Sequence, residues 1–211
     1  MGSPAESASA LMKVRWPLAL AVALLASACT TSGAPRPARL EIQETGFTLS
    51  EEVRVAADVR ADFAAAVRLL EHEQWESGIA QLLEVAEAAP QLTAAHIDLA
   101  IAYRARNDLA RAEASLVRAL ELQPRHPVAL NELGILYRRT GRFEQARASY
   151  LKALAVYPGF HFARRNLAIL CDLYLADAAC ALEHYELYVQ AVPNDAEVAI
   201  WIADLRTRVG R

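Results

Sequence analysis

The chain has 211 residues, 55% of them hydrophobic and 22% charged, enough for one domain with a substantial core. A formal net charge of −3 supplies no whole-molecule attraction for nucleic acid, so no nucleic-acid partner is expected. Glycine is sparse, Ala/Leu/Arg/Glu stretches dominate and few runs alternate as strands do, which predicts an almost all-α protein.

The first segment reads as an address. Lys13 and Arg15 precede the apolar run "WPLALAVALLASAC", which is too short for a comfortable membrane span and carries small residues before Cys29. Residues 1–28 are therefore expected to be a secretory signal peptide, with Met12 as an alternative start. "LASAC", Leu25 to Cys29, resembles a bacterial lipobox. That resemblance implies cleavage before Cys29 and lipidation of its thiol, and several acyl chains hold a protein on a membrane stably. Thr30 is not the Asp that commonly retains such lipoproteins in the inner membrane, so the outer membrane of the periplasm is implied. The alternative is an ordinary secretory signal with a chance cysteine.

"TTSGAPRPARL" has Pro, Gly, Ser and Thr and no apolar period, so residues 29–49 read as a flexible tether. An ordered domain is expected over 50–211. Ser50 is a candidate N-cap with Glu51 and Glu52 behind it, and Val53, Ala56, Val59, Phe63 and Val67 follow at helical spacing. This predicts one long helix from Ser50 to Glu73.

A repeat of 34 residues then emerges. "NELGILYRRTGRFEQARASYLKALAVYP" aligns without a gap on the preceding unit: Leu99 on Leu133, Ala100 on Gly134, Tyr103 on Tyr137, Ala112 on Ala146, Ala119 on Ala153 and Pro124 on Pro158. Ala66, Leu69, Gly78, Val85 and Pro90 occupy the same columns one unit earlier, and Leu167, Ala168, Ala181, Tyr185 and Pro193 one unit later. The last proline comes one residue late, so a turn there carries an extra residue. Four units follow, at 59–92, 93–126, 127–160 and 161–194, with a capping helix at 195–209.

This pattern resembles the tetratricopeptide repeat. The resemblance implies a right-handed superhelical solenoid of helical hairpins. Gly134 and Ala146 would let the paired helices approach, Gly141 would permit the turn, and Pro158 would end the hairpin. Units of this kind bury their apolar faces by stacking. In the capping helix, Ala199, Ile202 and Leu205 are expected to face the stack, with Trp201 at its edge.

No P-loop, G-x-S-x-G or dinucleotide fingerprint appears, and no cofactor or small-molecule substrate is expected. Cys171, Cys180 and His184 supply three irregularly spaced ligands where a structural zinc wants four, so no metal is expected. In an oxidising compartment Cys171 and Cys180, at the end of one helix and the start of the next, could form a disulfide; two buried thiols are the alternative.

The resemblance also implies a concave groove lined by the first helix of each hairpin. By register its columns hold Phe63, Ile97, Asn131 and Arg165; Val67, Ile101, Ile135 and Ile169; and Leu70, Arg104, Arg138 and Asp172, with Arg139 beside them. An apolar stripe beside arginines suits a partner peptide or helix with apolar anchors and carboxylates; the alternative is that the aliphatics only complete the core. The chain is similar to tetratricopeptide lipoproteins of the type IV pilus pilotin kind or of the TonB system. That likeness implies a non-enzymatic scaffold or assembly factor in the bacterial envelope, with protein partners and a lipid anchor. A periplasmic enzyme or regulatory subunit acting on peptidoglycan is the other reading.

Overall fold

The structure is a computed structural model that describes residues 10–14, 20–24, 39–43, 46–51 and 53–210. The expected lipidation at Cys29 and the cleavage before it fall outside the described residues, as do 30–38 and 44–45 of the expected tether.

Four short strands precede the helices. β1 (Ala10–Val14), β2 (Leu20–Leu24), β3 (Arg39–Gln43) and β4 (Gly46–Glu51) form a sheet in the order β1-β2-β4-β3. β2 runs antiparallel to β1 and parallel to β4, and β3 is antiparallel to β4. Ser50 lies in β4, paired with Arg39 and Ala23, and so does not cap a helix. The first helix, α1 (Ala57–Glu71), starts after Ala56 with no side-chain cap. The reason is a change of period: Leu40 and Ile42, then Phe47 and Leu49, alternate at period two, whereas Val59, Phe63, Ala66 and Val67 follow the helical period. The expected helix from Ser50 to Glu73 is thus shortened at both ends, and the expected tether contains β3 and most of β4.

From Ala57 onward the protein is all-α. The first compact unit, Met1–Pro124, holds the sheet and two hairpins: α1 with α2 (Trp75–Ala88), and α3 (Thr93–Ala105) with α4 (Leu109–Leu122). The second, Arg125–Arg211, pairs α5 (Pro127–Arg139) with α6 (Phe143–Val156) and α7 (His161–Leu173) with α8 (Ala178–Ala191), and places α9 (Ala196–Val209) on α8. α2 packs on α3 in the first unit and α6 on α7 in the second.

Close packing explains the small residues. A Cβ placed on Gly134 would lie 2.5 Å from Cε1 of Tyr150, a ring that is fully buried. Ala112, Ala146 and Ala181 are likewise fully buried on the second helices. The hairpin turns share one device. Glu73, Asn107 and Gly141 adopt positive φ (57°, 62° and 74°), and the following N–H bonds back to Leu69, Tyr103 and Tyr137. Those left-handed residues are spaced by 34; in the fourth hairpin the left-handed residue is Ala176, one position later. The extra residue therefore sits in the α7–α8 turn. There Leu175 donates to the Leu170 carbonyl and Asp177 to that of Cys171. Cys171 and Cys180 are joined by a disulfide across this turn, with Cα atoms 5.9 Å apart.

Side chains finish the helix starts. Asp108, Asp177 and Asp195 each accept the backbone N–H three residues on. His126 does the same for α5 through Nδ1, 3.3 Å from the Ala129 nitrogen, although it is buried. α9 buries Val198, Ile202 and Leu205; Ala199 is exposed, correcting the expected set by one helical step.

Candidate functional site

In the first unit Phe63, Val67 and Ile97 are buried, at 1%, 8% and 5% exposure. They complete the core and do not line a surface, which corrects their expected role; α1 packs against both α2 and α3. Ile101 and Arg104, one and two turns further along α3, remain half-buried.

The second unit is more informative. Asn131 is buried because α7 covers it: Asn166 Nδ2 donates to Asn131 Oδ1 at 3.0 Å. Asn131 is thus a strut between two first helices and is not offered to a partner. Ile135 on α5 and Ile169 on α7 share a column and are half-buried. Arg138, two turns beyond Asn131, places its guanidinium 5.9 Å over the ring of Tyr174, and Tyr174 meets Phe143 at 5.0 Å. Arg139 is exposed.

Arg165 has a different task from the one its column implies. Its guanidinium lies 3.2 Å from Glu197 and 3.9 Å from Asp195, and 5.5 Å above the ring of Trp201. It therefore ties α7 to α9. Asp172, in the third column, is similarly engaged by Arg208. Asp195 is the hub of this end. It caps α9 and accepts from Tyr188 Oη at 2.8 Å, and that hydrogen bond above all holds its carboxyl below the usual range. Burial, then the same bond, pushes the Tyr188 hydroxyl up to about 12, so it stays a donor at any physiological pH.

The arrangement offers an aliphatic strip, Ile135 and Ile169, beside a guanidinium held by an aromatic ring. Its chemistry is non-covalent: apolar burial, cation–π contact and charge-assisted hydrogen bonds. Among the described residues no group of His, Cys, Asp and Glu is gathered to hold a metal ion.

Two features escape the sequence reading. Leu173 and Tyr174, 70% and 45% exposed, stand where the preceding hairpins have Arg139-Thr140 and Ala105-Arg106. Their signal is that break with the column. Asp98 and Glu132, each 5% exposed, are buried acids in one column, ahead of Asn166. Acids at such positions read as solvated charge until neighbouring helices are in place.

The tetratricopeptide-repeat family model matches residues 63–127, 97–160 and 131–196, which together span well over half of the chain. The chain belongs to the tetratricopeptide-repeat family. Solved structures agree at the level of fold. One is from a functional characterisation of pilF from Pseudomonas aeruginosa, 24% identical over 71% of this chain and 68% of that one, with a TM-score of 0.66. A second is a thermophilic TPR protein from Thermus thermophilus, at 22% identity, 71% and 81% coverage and a TM-score of 0.62. A third, MamA from Desulfovibrio magneticus, is 17% identical over 74% and 88% of the two chains, with a TM-score of 0.65. Among curated proteins no sequence matches. As a tetratricopeptide-repeat protein the chain has the fold of a protein-interaction scaffold.

Proposed function

We propose that this protein is a non-enzymatic assembly scaffold of the bacterial envelope. It is held to the outer membrane on its periplasmic side by lipid on Cys29, and it binds a partner segment that carries an apolar anchor and carboxylates. The observation that carries the binding half is the strip Ile135–Ile169 flanked by Arg138 on Tyr174. Aliphatic side chains left half-covered beside a ring-held guanidinium match such a segment in both polarity and charge. The anchoring half rests on "LASAC" and on the short apolar run before it.

Both halves are tested in the full chain. Arg138→Glu is expected to cut recovery of crosslinked envelope partners at least about tenfold while the melt stays within about 1 kcal/mol of wild type, the size of the lost cation–π contact. Recovery at wild-type level from a folded variant removes the groove reading. Cys29→Ser is expected to move the protein from the membrane pellet to the soluble periplasmic fraction, and a variant that still sediments at high salt removes the anchor.

A further inference from the structure

The hairpins latch their turns by different means. In the second, the Tyr103 ring near the end of α3 carries the guanidinium of Arg111, from the first turn of α4, at 4.6 Å. In the third, Tyr137 near the end of α5 carries Arg142, at the start of α6, at 4.3 Å. Both latches are cation–π contacts across the turn. The same column of the fourth hairpin, 34 residues beyond Tyr137, holds Cys171. There the latch is covalent, through Cys180 in the first turn of α8.

The turn it closes is the irregular one. It carries the extra residue, and its left-handed position is Ala176, at φ 53°, where the third hairpin has Gly141. Alanine at positive φ is strained and stays there only while its surroundings hold it. Asp172, at the near end, is held by Arg208 of α9 with or without the bridge. Beyond it the turn is tied by backbone bonds to the Leu170 and Cys171 carbonyls, by the Asp177 cap on α8, and by the bridge.

The tyrosine of this hairpin stands one helical turn after the latch column and reaches out to the third hairpin. The Tyr174 ring meets Phe143 at 5.0 Å and lies 5.9 Å from the Arg138 guanidinium. Asp177 reaches the same neighbour, 4.0 Å from Arg147. The segment enclosed by the two cysteines therefore holds the guanidinium that flanks Ile135 and Ile169. Cys171 is fully buried and Cys180 only half-buried, so an attacking thiolate approaches the bridge from the Cys180 side.

We propose that, given the reading of Ile135, Ile169 and Arg138 as a partner-binding site, the Cys171–Cys180 bridge is its redox-controlled positioning element. Formed, the bridge keeps Tyr174 against Phe143 and beneath Arg138, and the site is competent. Reduced by a dithiol, it releases the ring and the site is lost. A thiolate of the dithiol attacks Sγ of Cys180, the S–S bond breaks, and Cys171 leaves as a thiolate that takes up a proton. The second thiol of the dithiol gives up its proton and displaces Cys180, which leaves as a thiol. The protein gains two electrons and two protons, and the dithiol becomes a disulfide.

The full chain in non-ionic detergent is compared oxidised and after reduction by dithiothreitol with capping of the thiols. Nuclear Overhauser contacts between the Tyr174 and Phe143 rings are expected in the oxidised chain and are expected to vanish on reduction, with helicity retained. Recovery of crosslinked envelope partners is expected to fall at least about tenfold on reduction, as in Arg138→Glu. Cys171→Ala with Cys180→Ala, which adds no capping group, is expected to match the reduced chain. Tyr174→Leu keeps the bridge and is expected to lose recovery to the same extent, with no further loss on reduction. A bridge that served stability alone would leave recovery from the folded reduced chain unchanged. Ring contacts or recovery that outlast reduction overturn the proposal while Arg138→Glu still reports the site. Tyr174→Leu with wild-type recovery overturns it as well. Arg138→Glu with wild-type recovery removes the site itself, and its control by the bridge falls with it.

Discussion

At the scale of single residues, the contact between Gly134 and Tyr150 shows how the repeat's small positions work. A Cβ there would stand 2.5 to 2.9 Å from three ring atoms of a side chain that has no exposed edge to yield. Alanine gains about 1 kcal/mol over glycine in helix propensity, whereas overpacking a core costs about 1–3 kcal/mol, so the clash wins. Gly134→Ala is expected to lower the melting temperature by a few degrees, and Gly134→Leu by more. The preceding hairpin has Ala100 and Leu116 in these two columns, both buried. Accordingly Tyr150→Leu is expected to recover stability in the Gly134→Ala background, and a double variant no better than the single would show that the ring is not the obstacle. The small columns were legible in the sequence because they recur every 34 residues. The pairing of glycine with tyrosine was not, since the sequence shows Tyr150 only as a large residue in a second-helix column and only the folded hairpin sets its ring against Gly134.

At the scale of elements, the fourth hairpin is the irregular one. Its turn carries the extra residue, the Cys171–Cys180 disulfide and the exposed pair Leu173 and Tyr174. The bridge spans a sequence separation of 9 and constrains a short loop, which is worth about 2–3 kcal/mol on the loop-entropy account. Cys171→Ala with Cys180→Ala, or wild type under reductant, is expected to melt lower by that amount. An unchanged melt in reductant would show that the hairpin stands without its staple. The late proline made the extra residue visible in the sequence, but nothing local located it within the unit. Burial of the groove columns was equally hidden: Phe63, Val67, Ile97 and Asn131 share residue types with exposed positions, and only the neighbouring helices decide which are covered. The helix expected at Ser50 failed because two acids after a serine imitate a cap, while the period-two run Phe47–Leu49 belongs to a strand.

At the scale of the molecule, stability is tied to acidity through His126. Its imidazole is buried, caps α5 through Nδ1, and has its pKa pushed by burial from 6.5 down to about 4. Below pH 6.5 the unfolded chain takes up a proton that the folded chain refuses. Stability from this group is complete above about pH 6.5 and declines as the pH falls toward 4, with about 3 kcal/mol lost by then. Burial lowers His96, His161 and His184 as well, so they act in the same direction. His126→Asn keeps a capping acceptor without the titration. Melts from pH 7.5 to 4.5 are expected to fall more steeply for wild type than for this variant, and parallel curves would acquit the histidine. The sequence marked His126 only as a histidine before a proline; its burial comes from packing that no local pattern announces.

The helices of each unit pack chiefly on their immediate neighbours in the chain: α1 on α2, α2 on α3, α5 on α6, α6 on α7, α8 on α9. Such contacts close short loops, so little chain entropy is surrendered before each is rewarded. Folding of the helical part is therefore expected to be fast, in the microsecond to millisecond range typical of local topologies, and to begin at any hairpin. A chain that emerges from one end, as during synthesis or passage through a pore, can complete each hairpin while the next is still threading. It needs no distant segment to arrive before the helices already delivered have something to pack against.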